Sequence, residues 1–250
     1  MAWPSTRQAD LICGTMDGKV RLCQLKSQRS STLYSGDSMT ISASPSPDGT
    51  AFVTGHMDGS VYRYHFGDDG AAAAYSRFCV HTCAPTCLAW AESIMAAGSD
   101  SRVTFYDESG SPERTFDHSD DPDSHALTAC AVNPGGESVV VGAFDEFRVF
   151  SRSSRSGAWE ESSHQRVPHL YTVTALAWKP DGSRVTLGSL CGLADMYDAC
   201  LKRVLYKGRF EFTHVSPSQV IVKRLSTGAR IVLRSTFNYE IGKIRVFRDR

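Results

Sequence analysis

Four side chains of the kinds that bind metals lie within nine residues, and they are Cys79, His81, Cys83 and Cys87. Thiolate and imidazole groups are preferred zinc ligands, and structural zinc sites usually present them in pairs at short, regular spacings. The spacing here is irregular, and Cys87 belongs to an alternating run, Thr86–Trp90, that is typical of a β-strand. A free cysteine also packs well in a core as a small apolar side chain. We therefore favour packing over zinc, and we predict no metal ligand and no cofactor.

Motifs of catalytic chemistry are missing from the sequence. It contains no Gly-x-Ser-x-Gly nucleophile elbow, no phosphate-binding loop and no dinucleotide fingerprint. An enzyme would need acidic or histidine side chains that converge on one point, and no such set can be recognised from the spacing. We therefore predict that the chain is not an enzyme and has no catalytic residues.

The elements that position these side chains belong to a unit of about forty residues that occurs five times. The first glycine of a turn marks each unit, and these glycines recur at intervals of 41, 43, 44 and 46 residues. This period, with several short strand patterns per unit, is typical of a WD-type β-propeller. The turn residues that we predict to be structural are Gly14, Asp17, Gly55, Asp58, Gly98, Asp100, Gly142, Asp145 and Gly188.

Each unit has the same internal order. An alternating run such as Thr174–Trp178 predicts the first strand. A turn such as Pro180–Gly182 follows, because proline presets φ and glycine accepts a positive φ. A second strand such as Ser138–Val141 leads to the Gly-x-x-Asp-Gly turn, and a third strand such as Arg102–Tyr106 comes next. Since an aspartate in a turn can bond the local backbone, we interpret the recurrent aspartates as turn formers rather than as metal ligands or catalysts.

In the first unit, the sequence starts only where the first strand of later units ends. Ala2-Trp3 aligns with Ala89-Trp90 and Ala177-Trp178, where the tryptophan ends a strand. We therefore expect an all-β, incomplete WD40-type propeller of about five blades, the first of which lacks its leading strand. Propellers close as rings of roughly four to eight blades. Closure would need a strand from the C-terminal segment, and we prefer the interpretation that the chain is a fragment, or an incorrect gene start, of a longer protein.

The composition is ordinary for a globular chain, with 41% hydrophobic residues and a formal net charge of zero. No apolar run approaches the roughly 18–20 residues that span a bilayer. The start of the chain has no apolar signal-peptide core. Eight cysteines without a secretory signal indicate reduced thiols in a cytosolic protein.

The charges are unevenly spread. Residues 107–123 hold seven acids against one base, and we predict a loop between blades there, with His118 and His125 exposed at its end. Residues 151–164 also look like a surface excursion. Residues 223–250 hold eight bases against two acids. A basic stretch can favour an anionic membrane surface, but we prefer a solvated sheet face. In that interpretation the following side chains form strand core: Leu225, Ile231, Val232 and Leu233.

Longer strings make the resemblance specific. Tyr106-Asp107 and Tyr197-Asp198 stand where WD-repeat proteins close the third strand with their Trp-Asp dipeptide. Between residues 2 and 247 the chain resembles the N-terminal propeller region of the intraflagellar transport protein 172 family. One small departure is Thr54, where that family tends to carry a serine. The strings that carry the resemblance are Gly18–Leu22, Ser30–Tyr34, Thr54–Gly59, Val61–Tyr64, Asp68–Gly70, Leu88–Trp90, Ala96–Gly98, Thr115–Asp117, Pro134–Gly142, Leu170–Arg184, Leu190–Gly192, Pro217–Lys223 and Leu225–Gly228.

This resemblance implies a function. It suggests a non-enzymatic scaffold subunit of intraflagellar transport complex B that supports the assembly of cilia and flagella. The implied partners are other complex B subunits and, indirectly, ciliary motors and cargo, with a weak membrane contact as a further option and no nucleic acid. The implied locations are the cilium or flagellum, its axoneme and basal body, and a cytoplasmic pool. The alternative is a generic WD-repeat adaptor, such as a coat component or a ubiquitin-ligase substrate receptor.

The resemblance also implies a division of the chain. Residues 1–209 would be later blades of one propeller, and residues 210–250 would be closing strands or a passage toward a second propeller. His56 follows Gly55 as in many WD units, where such a histidine commonly joins a buried hydrogen-bond network. We expect that structural role rather than acid–base catalysis. No interaction residues can be assigned from the sequence.

Overall fold

The computed structural model describes residues 1–7, 9–67, 74–153, 156–237 and 239–247. Within these ranges the regular structure is entirely β: there is no helix, and 22 strands form six small antiparallel sheets. Strands that are consecutive in the chain are neighbours in every sheet. The predicted fold class, an incomplete WD40-type β-propeller, is confirmed.

The first three sheets are called blades 1, 2 and 3. Blade 1 contains β1 (Asp10–Gly14), β2 (Lys19–Gln24) and β3 (Arg29–Ser35). Blade 2 contains β4 (Thr40–Pro45), β5 (Ala51–His56), β6 (Ser60–His65) and β7 (Ala74–Val80). Blade 3 contains β8 (Cys87–Trp90), β9 (Ile94–Ala97), β10 (Arg102–Tyr106) and β11 (Pro112–Asp117).

The next two sheets are blades 4 and 5, and the last is called the sixth sheet. Blade 4 contains β12 (Ala129–Val132), β13 (Ser138–Gly142), β14 (Glu146–Arg152) and β15 (Trp159–Arg166). Blade 5 contains β16 (Val173–Trp178), β17 (Arg184–Ser189) and β18 (Ala194–Asp198). The sixth sheet contains β19 (Lys202–Tyr206), β20 (Phe210–Ser216), β21 (Gln219–Arg224) and β22 (Arg230–Arg234).

The first strands of blades 2 to 5 lie side by side, because β4 contacts β8, β8 contacts β12 and β12 contacts β16. A hydroxyl at the start of each strand binds the backbone of the next blade. Ser42 Oγ donates to the carbonyl of Pro85 at 2.5 Å. Thr86 Oγ1 donates to the carbonyl of Leu127 at 2.7 Å. In the same way, Thr128 Oγ1 donates to the Val173 carbonyl at 2.5 Å, so one kind of hydrogen bond joins successive blades.

The core lies between the blades rather than within them. Between blades 3 and 4, the ring of Trp159 stacks on Phe105 with their centroids 4.2 Å apart. The indole nitrogen of Trp159 donates to Ser93 Oγ at 3.1 Å, so its polar atom is also satisfied inside the core. A buried aromatic pair of this kind contributes about 0.5–1.5 kcal/mol beyond the area it buries.

Two expectations for polar segments are wrong. Residues 107–123 include strand β11, and residues 151–164 include the start of β15. Both are outer strands of their blades, so one edge faces solvent and polar side chains cost little there. Pro112 can begin β11 because an edge strand tolerates a missing backbone donor. Residues 154–155 lie outside the described residues.

Blade 1 retains a trace of its leading strand. The backbone of Ala2 pairs with Ile12 through two hydrogen bonds of 3.0 and 2.9 Å, in the place where a first strand would lie. Ala2 is buried against Ile12, Val20 and Phe52. Blade 1 therefore has a single bridge where blades 2 to 5 have a full first strand.

The sixth sheet differs from our expectation for its last strand. β22 pairs with β21, but all five of its side chains are exposed. Ile231, Val232 and Leu233 are 62%, 47% and 39% exposed, so the prediction that they form strand core is wrong. Leu225, at 42%, is exposed as well. The alternating pattern correctly marked a strand, but these side chains remain exposed rather than packed in a core.

Candidate functional site

Three of the predicted turn glycines, Gly14, Gly55 and Gly142, lie where one blade approaches the next. Gly14 and Gly142 end strands β1 and β13, Gly55 is the penultimate residue of β5, Gly98 follows β9, and Gly188 lies in β17. A Cβ atom on Gly142 would lie 2.6 Å from Val173 Cγ1, on the first strand of blade 5. The φ of Gly142 is outside the left-handed region, so glycine is needed there for close approach rather than for its backbone conformation.

The turn aspartates bind local groups. Asp58 accepts hydrogen bonds from the Ser60 amide at 3.0 Å and the Ser60 hydroxyl at 2.6 Å. Asp17 accepts from Lys19 Nζ and Thr15 Oγ1, both at 2.5 Å, and these contacts lower the pKa of its carboxyl to about 2. Asp145, in a left-handed conformation with φ 53°, accepts a short hydrogen bond from the amide of Tyr171.

The fold divides the cysteine-rich segment of residues 79–87. Cys87 is fully buried, and its thiol lies against that of Cys130 in blade 4. Cys79 lies on β7, where burial raises its pKa to about 12. His81 and Cys83, in the loop between β7 and β8, instead meet a side chain that the spacing did not indicate.

That side chain is Asp100, in the turn between β9 and β10. One ring nitrogen of His81, the sulfur of Cys83 and a carboxylate oxygen of Asp100 lie within 4.8 Å of one another. We call these three residues the His81 cluster. The available signal was topological: the loop before the first strand of a blade and the turn between its second and third strands meet at the same end of the sheet. A search for short ligand spacings misses such a contact.

The two nitrogens of His81 have different surroundings. The residue is only 3% exposed. Its Nδ1 lies 2.8 Å from the hydroxyl of Tyr106, whereas its Nε2 is buried without a hydrogen-bond partner. Burial lowers the pKa of His81, although the charge of Asp100 acts in the opposite direction. The imidazole is therefore neutral at pH 7.

Hydrogen bonds orient the other two members of the cluster. Asp100 Oδ1 accepts from the amide of Arg102 at 3.3 Å, and Oδ2 accepts a short bond from the hydroxyl of Thr82. Burial alone would raise the pKa of Asp100. The hydrogen bonds from Thr82 and Cys83 outweigh that effect, so the net pKa lies below its usual value and the carboxyl is ionised. Burial raises the pKa of the Cys83 thiol, which is protonated in the absence of a cation.

His56, the other buried histidine among the described residues, has partners for both nitrogens. Its Nδ1 lies 2.8 Å from the carbonyl oxygen of Ser38, and its Nε2 lies 3.1 Å from Thr54 Oγ1. Thr54 also makes a short hydrogen bond with the hydroxyl of Tyr34. Because a carbonyl can only accept, Nδ1 carries the proton and Nε2 accepts from Thr54. This is a structural network with no unused ligand atom.

Blade 4 holds a cluster of paired charges. Arg148 Nη1 donates to Glu161 Oε1 at 2.9 Å, and Arg148 Nη2 lies 3.5 Å from Glu146 Oε1. His164 Nε2 lies 2.8 Å from Glu146 Oε2. The prediction that His118 is exposed is wrong, because its side chain is only 17% exposed and lies against Glu161. Both carboxylates thus face cations, which suits a structural network rather than acid–base catalysis.

The sixth sheet attaches to the turns between first and second strands. Ser218 makes a short hydrogen bond to the carboxylate of Glu137, and both residues are buried. Gln219 Nε2 donates to the carbonyl of Asp181 at 2.9 Å, and Arg234 Nη2 donates to that of Pro134 at 2.9 Å. These contacts fix the sheet against blades 4 and 5.

A cleft lies beside this attachment, on the same side of the blades. Its lining comes from blades 1 to 4 and from the sixth sheet, and includes Trp3, Pro47, Trp90, Pro134 and Arg234. The described part of the chain contains no helix with the length and apolar character needed to cross a bilayer.

Comparison with known proteins identifies the family. No protein-family model matches the chain. It is 44% identical over 253 aligned positions to intraflagellar transport protein 172 of Chlamydomonas reinhardtii, and this alignment covers the whole chain. It is 44% identical over 247 positions to the homologue of Danio rerio and 42% identical over 247 positions to that of Homo sapiens.

The chain belongs to the intraflagellar transport protein 172 family. It spans about 14% of the length of these curated relatives. The family predicted from the strings between residues 2 and 247 is thus confirmed. One string, Asp68–Gly70, lies outside the described residues.

Proposed function

We propose that the chain serves intraflagellar transport as part of a non-enzymatic scaffold in complex B. Its partners would be other complex B subunits, with motors and cargo bound indirectly, and its role would be to support the assembly of cilia and flagella. It would reside in the cilium or flagellum, at the axoneme and basal body, with a cytoplasmic pool. The observation that carries this proposal is the 44% identity to the Chlamydomonas reinhardtii protein across the whole chain.

The architecture supports a scaffold role. Hydroxyl-to-carbonyl bonds between first strands, from Ser42, Thr86 and Thr128, join the blades through their backbones. Loops on such a rigid frame can present binding residues without a large loss of conformational entropy. The buried charges of Glu146 and Arg148 pair with each other, and Arg148 also pairs with the half-buried Glu161, so this set suits a structural network rather than a catalytic centre.

We also propose that residues 1–209 act as the blade platform and residues 210–250 as closing strands or a passage toward a second propeller. The contacts of Ser218 and Gln219 with blades 4 and 5 support a docked extension. β19 lies before that boundary and pairs with β20, so the two parts share one sheet.

A weak membrane contact through residues 223–250 is part of the proposal. β22 exposes Arg230 and Arg234 beside the apolar side chains of Ile231 and Val232, a combination that suits an anionic lipid surface. Binding to anionic vesicles that weakens with added salt supports this contact, and salt-insensitive or absent binding removes it.

The decisive experiment is a chimera. In a Chlamydomonas reinhardtii strain lacking its own protein, the matching segment would be replaced by this chain within the full-length protein. We expect flagella to form and tagged chimera to recover complex B subunits. If a folded chimera instead recovers coat or ubiquitin-ligase components, the alternative of a generic WD-repeat adaptor replaces the proposal.

Two variants of that chimera separate function from folding. Gly142→Val places new atoms where a Cβ alone would lie 2.6 Å from Val173 Cγ1, so it should break the joint between blades 4 and 5. Gly188→Ala is the matched control, since its Cβ would make an ordinary contact of 3.6 Å with Ala175 Cβ. Loss of flagella with the first variant only would tie assembly to the propeller frame.

A further inference from the structure

We propose that the His81 cluster is a binding site for a divalent cation of the zinc class. His81 would supply Nε2, Cys83 its thiolate and Asp100 a carboxylate oxygen. This site goes beyond the scaffold function and does not depend on it. It also departs from the sequence prediction of no metal ligand, because the fold adds a third ligand that the Cys-His spacing did not show.

The three donors suit one kind of ion. Imidazole nitrogen, thiolate sulfur and carboxylate oxygen are all common zinc ligands, whereas calcium and magnesium prefer oxygen alone. One ring nitrogen of His81, the sulfur of Cys83 and a carboxylate oxygen of Asp100 lie within 4.8 Å of one another. In a tetrahedral site with bonds of about 2.0–2.3 Å, ligand atoms are roughly 3.3–3.8 Å apart. Side-chain rotations that bring the atoms about 1 Å closer would therefore be enough.

His81 is prepared for this role by its second nitrogen. A ligating histidine usually holds its other ring N–H against an oxygen, which fixes the tautomer and the ring orientation. The Tyr106 hydroxyl, 2.8 Å from Nδ1, is such an oxygen. Nε2 then carries the lone pair, and it is buried without a partner. Since buried polar atoms are rarely left unpaired, this nitrogen calls for an explanation, and a cation supplies one.

The backbone around the cluster also permits the site. A Cβ on Gly98 would lie 2.4 Å from the carbonyl oxygen of Ala84 and 2.6 Å from Cys83 Sγ, so only glycine lets the loop come this close to the turn. Thr82 holds one oxygen of Asp100 in place. A bound cation would therefore tie the loop between β7 and β8 to the turn between β9 and β10.

The coordination would be completed by solvent. Among the described residues, the cluster contains three ligand side chains, and Cys83 and Asp100 are partly exposed, so water can reach a fourth position. Binding would convert the Cys83 thiol to a thiolate and release its proton to solvent. Such a site would exchange its ion more readily than a closed site with four protein ligands.

Metal titration of the 250-residue chain tests the proposal. After chelator treatment, equilibrium dialysis against zinc should give one ion per chain, and cobalt should give a thiolate-to-metal charge-transfer absorption. Cys83→Ser should abolish that absorption, and Asp100→Asn should lower zinc affinity by at least about tenfold. Cys191→Ser, which removes an exposed thiol outside the cluster, should leave both unchanged.

Further variants and unfolding curves test whether each protein is folded and whether the metal binds at a different site. Tyr106→Phe should keep the cobalt absorption but lower zinc affinity by about tenfold, because Tyr106 is a positioning residue. Unfolding curves recorded with chelator establish that each variant is folded. The proposal is overturned if folded Cys83→Ser keeps the absorption, or if fewer than one zinc ion binds per chain. It is equally overturned if Cys13→Ser removes binding, because the ion would then lie between Cys13 and Cys23, whose sulfurs are 3.8 Å apart.

Discussion

His56 and His81 are both enclosed by protein, at 0% and 3% exposure, but they differ in what their rings contact. His56 ends β5 and has an oxygen beside each nitrogen, at 2.8 and 3.1 Å. His81 lies in the loop that follows β7 and has one oxygen, that of Tyr106, at 2.8 Å. Its other nitrogen is unpaired, and the ring lies in a cluster with a thiol and a carboxylate.

The difference separates two uses of a buried histidine. A fully paired ring strengthens the fold, because every polar atom has replaced its water with a protein partner. A half-paired ring gives less stability, and it keeps a lone pair available for a ligand. Two comparisons between these regions and one with the turn aspartate of blade 1 test this difference, and the expected effects decrease in that order.

The largest effect should come from two turn glycines, Gly98, which approaches Cys83 of the His81 cluster, and Gly55, which precedes His56. Gly98→Ala forces Cβ against a backbone oxygen, that of Ala84, and should lower the free energy of unfolding by about 2–3 kcal/mol. Gly55→Ala meets the side chains of Ser42 and Pro85 at 2.5 and 2.6 Å. Side chains can move more easily than backbone, so the loss should be nearer about 1 kcal/mol.

Urea unfolding of the two variants measures these losses. Gly188→Ala is the control, with an expected change within about 0.5 kcal/mol. An equal loss in Gly98→Ala and Gly188→Ala would contradict the close approach of the loop 83–84 to the turn at Gly98.

A smaller difference should separate the histidines themselves. His56→Ala leaves the Ser38 carbonyl and the Thr54 hydroxyl without their partner and creates a cavity, so it should cost about 2–3 kcal/mol. His81→Ala removes the partner of a single group, the Tyr106 hydroxyl, and should cost about 1 kcal/mol less. The unfolding curves should be recorded with chelator, so that bound metal adds nothing. Equal costs would show that Nε2 of His81 has a partner in solution.

The smallest effect concerns Asp17, the counterpart of Asp100 in blade 1. Its pKa of about 2 depends first on the hydrogen bond from Lys19, so Lys19→Met should raise it toward the ordinary 3.8. Because the folded-state pKa lies below the unfolded value, the contribution of Asp17 to stability is present above pH 4 and is lost toward about pH 2. NMR titration of the carboxyl measures the shift, with Asp58 as an internal control. An unchanged value for Asp17 would assign the low pKa to Thr15 instead.

Local patterns predicted the inner and middle strands well. The run Arg102–Tyr106 coincides with β10, and Thr174–Trp178 lies within β16. Such strands are buried on both faces or alternate cleanly, so their hydrophobic period is strong. The outer strands β11 and β15 were missed because one edge faces solvent and their side chains are mostly polar. In the same way, the apolar side chains of β22 predicted a strand but not its exposure.

The His81 cluster could be predicted only in part. Local spacing brought His81 and Cys83 together, but Asp100 is on the other side of β8 and β9 in the sequence. The bonds from Ser42, Thr86 and Thr128 to the next blade were likewise missed. Each of these hydrogen bonds depends on the order in which the blades pack, which the sequence pattern of one blade does not contain. A serine or threonine at the start of a strand also has no distinctive sequence pattern of its own.

The consecutive order of strands in every sheet has a consequence for synthesis of the chain. A sheet made of neighbouring segments can form as soon as its last strand leaves the ribosome, since no later segment is required for its pairing. Joints between distant segments come afterwards: Ser218 reaches back 81 residues to Glu137, and Arg234 reaches back 100 residues to Pro134. A nascent chain that has emerged as far as Asp198 therefore carries every described strand of blades 1 to 5, and the sixth sheet attaches to blades 4 and 5 only after that point.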